Sequence, residues 1–402
     1  MNNNPFSPIV DIEAPTYRNI TPVLTLAGVN LSLWDVIKTG LGARLNLGLY
    51  GGAGWGKSQL LADVRSLVGN NASYVLGRND LDIKTLFREL DFSQLEKARR
   101  EGGRVSQQEL SAVTAEIYRP LIVVEELNRA AEIVQNQLFN IFEGFIEIDG
   151  KKYALGDGTL HTFHGMNGSE WTQNVVYSVG VWSANLGNGQ YTGTVSMDKA
   201  MKERSHLILD VDNFKPQAED LDTILLQSGG EVRLKEEDKP HDRTKLFVDA
   251  FAAMKQGSYT PNPHELGEEL LLFRYLVLGL DYIPCEAADN SKLKMKDVWP
   301  SKAEEDDLGA TDEEKIMYRM VLPSSPRGAL TIMTLARALR SYVTAKNPSA
   351  KPTVLDSVVE SIKIVGAYSG MIDNQQRIRE DFVGNPYKAA TKVAEIVRTK
   401  LQ

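Results

Sequence analysis

Apolar residues recur along this chain with two different periods, and the switches between them outline its elements. Leu45 to Tyr50 (LNLGLY) alternates as a short strand does, and Gln59 to Val68 (QLLADVRSLV) repeats at helical spacing. Leu121 to Val124 (LIVV) is apolar throughout, which predicts a strand buried on both faces; Ile133 to Phe142 returns to helical spacing. Phe145 to Asp149, Gly150, and Lys151 to Leu155 form a hairpin signature with its turn at Asp149-Gly150. Val175 to Trp182 and Leu207 to Val211 predict two further strands. From about Val23 to Asp212, short β-rich runs alternate with helical patterns, the order that yields an α/β core with a parallel sheet covered by helices.

Beyond Phe214 the pattern is mainly helical, with Leu246 to Met254, Leu266 to Leu280, Arg327 to Thr344 and Val354 to Val365 as the clearest segments. Three regions are therefore expected. Residues 1–22, punctuated by Pro5, Pro8, Pro15 and Pro22, read as an extended arm able to reach a neighbouring subunit. Residues 23–213 form the core, with the hairpin near 145–155. Residues 214–402 form a helical domain with a charged, solvated insertion near 286–320 that includes Lys302-Ala-Glu-Glu-Asp-Asp307.

Composition narrows the classes. With 402 residues, 42% hydrophobic and 24% charged, the chain can bury a sizeable core. The longest apolar stretch, Leu270 to Leu280, is broken by Arg274 and is too short to span a bilayer. Met1 to Thr16 has no basic start followed by an apolar block, and Cys285 is the single cysteine, so a cytoplasmic, reducing setting is expected. The formal charge of −8 argues against a broad nucleic-acid-binding surface, which needs clustered Lys and Arg.

Chemistry enters at Gly51-Gly-Ala-Gly-Trp-Gly-Lys-Ser58. This run has the spacing G-x-x-x-x-G-K-[ST] between a predicted strand and a predicted helix. Glycines let the backbone curl until its N–H groups point at phosphate oxygens, and the following helix adds its positive end. The candidate nucleotide contacts are Gly52, Ala53, Gly54, Trp55, Gly56, Lys57, Ser58 and Gln59, with Lys57 on the β- and γ-phosphates of ATP and Ser58 on Mg²⁺. A P-loop NTPase core is the expected fold.

Leu121 to Glu126 ends a buried strand in two carboxylates, at the edge where open α/β sheets bind ligands. An isolated acidic pair would simply open a solvated loop; the phosphate loop upstream is what turns this one toward catalysis. Glu125 then suits an outer-shell Mg²⁺ role, and Glu126 suits a general base for the attacking water.

With these motifs in place, the sequence resembles MoxR-type AAA+ ATPases. Glu125-Glu-Leu-Asn-Arg-Ala130 followed by Gln135-Asn-Gln-Leu138 is similar to that family's segment after the second Walker motif, and the predicted hairpin is similar to the one inserted in its second core helix. Trp182-Ser-Ala-Asn185 resembles the sensor-1 strand end, which implies that Asn185 helps hold the water near the γ-phosphate. Met201-Lys-Glu-Arg204 resembles the segment that carries the arginine finger, and Ser324-Ser-Pro-Arg327 resembles sensor 2 at a lid-helix start. The pattern departs at Glu125, where the family has Asp, at Leu186 in place of proline, and at Ser205 in place of an aromatic; extra residues lie between Gly156 and Thr172.

Local chemistry bears on both arginines. Ser325 reads as an N-cap and Pro326 as the first helical residue, so Arg327 opposes the helix dipole unless an anion such as the γ-phosphate lies across the cleft. Arg204 could equally pair with Glu203 or water. The resemblance implies a homo-oligomeric ring, usually a hexamer, that hydrolyses ATP to remodel or assemble a protein partner, one class of which carries a von Willebrand A-type domain. A nucleotide-dependent switch or scaffold with little turnover, and a nucleic-acid translocase, are the alternatives.

Overall fold

The computed structural model describes residues 4–82, 86–90, 92–101, 111–148, 150–185, 199–228, 241–278, 324–372 and 382–401. It opens with a one-turn helix, α1 (Ser7–Val10), and a small hairpin of β1 (Pro22–Leu26) and β2 (Val29–Ser32). Ser32 and Asp35 exchange hydrogen bonds in a capping box that starts α2 (Leu33–Gly42). Then come β3 (Leu47–Gly51), α3 (Lys57–Ser66) and β4 (Ala72–Leu76). An excursion of β5 (Arg88–Leu90), α4 (Phe92–Glu101) and β6 (Ser111–Val113) precedes β7 (Leu121–Glu125) and α5 (Glu132–Phe142). Two antiparallel ribbons follow: β8 (Phe145–Ile148) with β9 (Lys151–Ala154), and β10 (Asp157–His164) with β11 (Glu170–Tyr177). Next are β12 (Val179–Asn185), α6 (Lys199–Arg204) and β13 (Leu207–Asp210). The later described elements are helices: α7 (Ala218–Ser228), α8 (Thr244–Tyr259), α9 (Pro263–Leu278), α10 (Pro326–Lys346), α11 (Val354–Val365) and α12 (Pro386–Leu401).

The central sheet has the order β13-β3-β12-β7-β4, and every neighbouring pair is parallel. All five C-terminal strand ends therefore lie on one edge, with helices over both faces. Two glycines let this packing close. A Cβ at Gly48 would come within 2.1 Å of the Trp182 ring, and one at Gly180 within 2.4 Å of the Phe142 ring. Trp182 is fully buried and donates its indole N–H to Ser205 Oγ. Ser205 thus stands where an aromatic was expected because it satisfies the buried indole.

Val175 to Trp182 does not form one strand. It divides at Ser178 between ribbon strand β11 and sheet strand β12. Ser178 itself is neither glycine nor proline, and Gly180 lies within β12, packed against Phe142; at the corner Val179 N–H turns to the Pro120 carbonyl and the Tyr177 hydroxyl to the Leu41 carbonyl. Most of the residues between Gly156 and Thr172 belong to β10 and β11. This ribbon is held on α8 by a cluster of Phe163, Trp171 and Tyr259, with ring centroids 4.9 to 6.2 Å apart.

The N-terminal residues are not an extended arm. Phe6 and Ile9 are fully buried; Phe6 lies edge-on to Tyr342 of α10 and against Gly42 of α2. Lys38 reaches out of α2 to cap the Val10 and Ile12 carbonyls. Burying an otherwise orphaned helix end requires such a partner. The helical region after residue 214 is present but is not set off behind a core of its own, since one apolar cluster runs from Phe6 through the sheet to Val397. Tyr342 and Lys346 of α10 both bond Asp35 of α2, and Tyr387 of α12 donates to the Ile208 carbonyl of β13. The expected insertion near 286–320, together with Leu186, Cys285 and Asp149, lies outside the described residues. No described helix is long and apolar enough to cross a membrane.

Candidate functional site

The Gly51–Ser58 loop leaves β3 at the C-terminal edge of the sheet and enters α3. Gly51, Gly54 and Gly56 have φ of 144°, 86° and 80°, a region glycine occupies at little steric cost. Gly51 also allows close approach, since a Cβ there would meet Val211 at 2.7 Å. Lys57 begins α3 and is folded back into the loop. Its Nζ donates to the Gly51 carbonyl at 3.0 Å and to the Gly52 carbonyl at 2.5 Å, and the residue is only 9% exposed. Burial pulls its ammonium below the ordinary value, against the charges of Asp212, Asp210 and Glu126, which raise it. Asp212 also accepts the Gly52 N–H at 2.8 Å.

Ala53, Gly54, Trp55 and Ser58 are exposed, so the outer turn of the loop faces solvent. Lys215 lies over the Trp55 ring at 4.5 Å. Gln59 donates its amide to Thr16 Oγ1. Asp63 of α3 receives the Thr16 and Tyr17 N–H groups, which lays the 16–21 segment beside the loop, and a Cβ at Gly56 would sit 3.4 Å from Tyr17. Sequence reasoning assigned these residues to a free arm and so missed them as a wall of the site.

Glu125 and Glu126 stand at the end of β7, two strands from the loop. Glu125 accepts the Tyr74 hydroxyl at 2.5 Å, and burial together with this bond pushes the phenol up to about 12. Glu126 has φ of 54°, carries an ion pair with Arg129 at 3.1 Å and gives its N–H to Ser183 Oγ. Gly77 makes that turn possible. Its N–H bonds the Glu125 carbonyl, and a Cβ there would come within 2.3 Å of the Glu126 oxygen. Between them, at the end of β12, Asn185 pairs in register with Gly51. Asn128 is buried and grips the Asn185 backbone at both ends, donating to its carbonyl at 2.7 Å and accepting its N–H at 3.3 Å.

Loop, acidic pair and Asn185 thus share one sheet edge, on a sheet whose strands, numbered in their own chain order, run 5-1-4-3-2. Residues 46–150 match the family model of the AAA domain, dynein-related subfamily. Similarity to solved structures extends further: the 2.00 Å crystal structure of a candidate ATPase from Cytophaga hutchinsonii matches with a TM-score of 0.54 at 12% identity, covering 90% of this chain and 87% of that one. The core has the AAA+ fold. No curated protein matches the chain.

The remaining two expected residues lie at the other edge of the AAA+ core. Asn46, just before β3, donates its side-chain amide to the Phe142 carbonyl and to the Arg204 carbonyl, which fixes the ends of α5 and α6 at the N-terminal edge of the sheet. Arg204 Nε donates to Glu143 Oε1 at 2.9 Å. Ser325 does cap α10, accepting from the Gly328 N–H, and Arg327 is in its first turn. The anion opposite Arg327, however, is Glu143, whose Oε1 it also meets at 2.9 Å. A γ-phosphate in the same chain's loop is not the group that Arg327 faces. β3 has five residues, so the two edges are on the order of 16 Å apart at about 3.3 Å per residue.

Proposed function

We propose that the chain binds ATP with Mg²⁺ and hydrolyses it, as a MoxR-type AAA+ ATPase acting in a head-to-tail ring on a protein partner. The reading is carried by Lys57: a buried ammonium folded into a glycine loop, on the same sheet edge as Glu126 and Asn185. The donor set fits a triphosphate, because positive-φ glycines and a helix N-terminus supply N–H groups where Lys57 supplies charge. Ser58 and Glu125 would hold Mg²⁺, which neutralises phosphate charge when bound. Glu126 would take the proton of the attacking water, and Asn185 would orient that water. Arg204 and Arg327 bond Glu143 beside the opposite sheet edge, so they are proposed to act on a neighbour's nucleotide across a heterologous interface.

Glu126→Gln tests this. The variant keeps ATP affinity while turnover falls by about 10²–10⁴-fold, measured by equilibrium ATP binding and steady-state phosphate release. It should also trap the ring and its partner for identification. Turnover at the wild-type rate would reject Glu126 as the base.

A further inference from the structure

Arg204 and Arg327 come from different elements, yet both donate to a single oxygen, Glu143 Oε1, at 2.9 Å each. Guanidinium groups that share one acceptor atom stand close together, and like charges at that range repel unless an anion lies between them. Arg327 carries a second cost, since a cation in the first turn of α10 faces the positive end of the helix dipole. Arg44 adds a further cation nearby, with Nη2 3.2 Å from where a Cβ at Gly144 would sit. His206 does not add to the positive charge: burial, then the charges of Arg327 and Arg44, hold its imidazole down to about 4. Partial burial pushes the Glu143 carboxyl up, but the Arg327 bond and the two arginine charges outweigh it and keep the group below its ordinary value.

Arg327 is the most accessible member, its side chain 43% exposed against 24% for Arg204 and 29% for Glu143. A guanidinium has five N–H donors, so bonding Glu143 through Nη2 leaves Arg327 others to offer. Glu143 itself is fixed from behind, because Asn46 anchors the Phe142 carbonyl immediately before it.

Resting on the trans-acting arginines of the proposed function, we propose that Glu143 is a positioning residue for catalysis: its carboxylate gathers Arg204 and Arg327 into one two-arginine tip that enters the neighbouring subunit's phosphate site. The carboxylate never touches the nucleotide. Its task is to let two cations occupy one place.

The test uses the full chain at concentrations that support maximal ATPase activity. Glu143→Gln keeps the shape and removes the charge. It should lower kcat at least tenfold with KM for ATP unchanged, since the paired arginines would act on charge that develops only in the transition state, and Glu143→Asp should recover part of the loss. Adding Glu143→Gln to an Arg204→Ala, Arg327→Ala chain should cost nothing more. A wild-type kcat in Glu143→Gln, a change in KM alone, or a further loss in the chain lacking both arginines would overturn the proposal. A second measurement does not depend on how Glu143→Gln folds. Two arginines acting as one tip give non-additive losses, so the double arginine variant should match either single one within about threefold, whereas multiplied losses count against the shared tip. If Arg204→Ala and Arg327→Ala both turn over normally, the trans-acting reading falls with it; if they are impaired and Glu143→Gln is not, only the role of Glu143 falls.

Discussion

Gly77 illustrates what a single position contributes here without appearing in any motif. Its missing Cβ leaves room for the Glu126 carbonyl, and its N–H holds the Glu125 carbonyl, so it shapes the turn that aims both carboxylates. Gly77→Ala should cost about 1–3 kcal/mol in stability and depress turnover while ATP binding persists, as read by thermal unfolding and ATPase assays. Normal turnover in a folded variant would mean the turn tolerates the clash. His206 provides a second residue-level outcome. Its ring Nδ1 accepts the Asn46 N–H, which requires the neutral form, and its value is lowered from 6.5 to about 4. Between those values the folded state binds fewer protons than the unfolded one, so this contribution is complete above pH 6.5 and is lost as pH falls through 4. His206→Asn, which suits the φ of 45°, should flatten the fall in unfolding free energy across that window; an unchanged pH profile would contradict the assignment. The placement of Gly51 to Ser58 after β3 and of Glu125 to Ala130 at the end of β7 was legible because the strands before them are short apolar runs. Gly77, Asp212, Tyr74 and Glu143 were not, since each acts through a contact between distant segments.

Among elements, strands β3, β7, β8, β9 and β13 and helices α3, α5, α10 and α11 follow their apolar periods to within a few residues, whereas β4 and β10 went unread. The misread segments share a cause, which is that packing overrides a local signal. Four prolines in the first 22 residues suggested an open arm, yet two aromatic and aliphatic anchors, Phe6 and Ile9, are enough to fasten it under α10 and α2. Likewise, Val175 to Trp182 turns a corner at Ser178, not at its one glycine, Gly180, with the Pro120 and Leu41 carbonyls taking hydrogen bonds beside it. Phe6→Ala should destabilise the chain by about 3–5 kcal/mol, the usual cost of emptying a filled aromatic site, measured by denaturant unfolding of dilute protein. An arm directed at another subunit would instead leave the unfolding of the dilute chain unchanged.

Across the whole molecule, the polarity of one parallel sheet sorts the chemistry. Lys57, Glu125, Glu126 and Asn185 gather at its C-terminal edge, while Arg204, Arg327 and Glu143 gather at the other. Under the proposed function, such a chain would bind nucleotide alone and would need a second copy to bring its arginines to bear. That division rests on the glycine loop being a phosphate cradle with Lys57 as its charge. Titration calorimetry of Mg²⁺-ATP into the wild-type chain and into Lys57→Ala tests it most directly. The account predicts one site per wild-type chain and at least a hundredfold weaker binding in a variant that remains folded; equal affinity in the two proteins would contradict it.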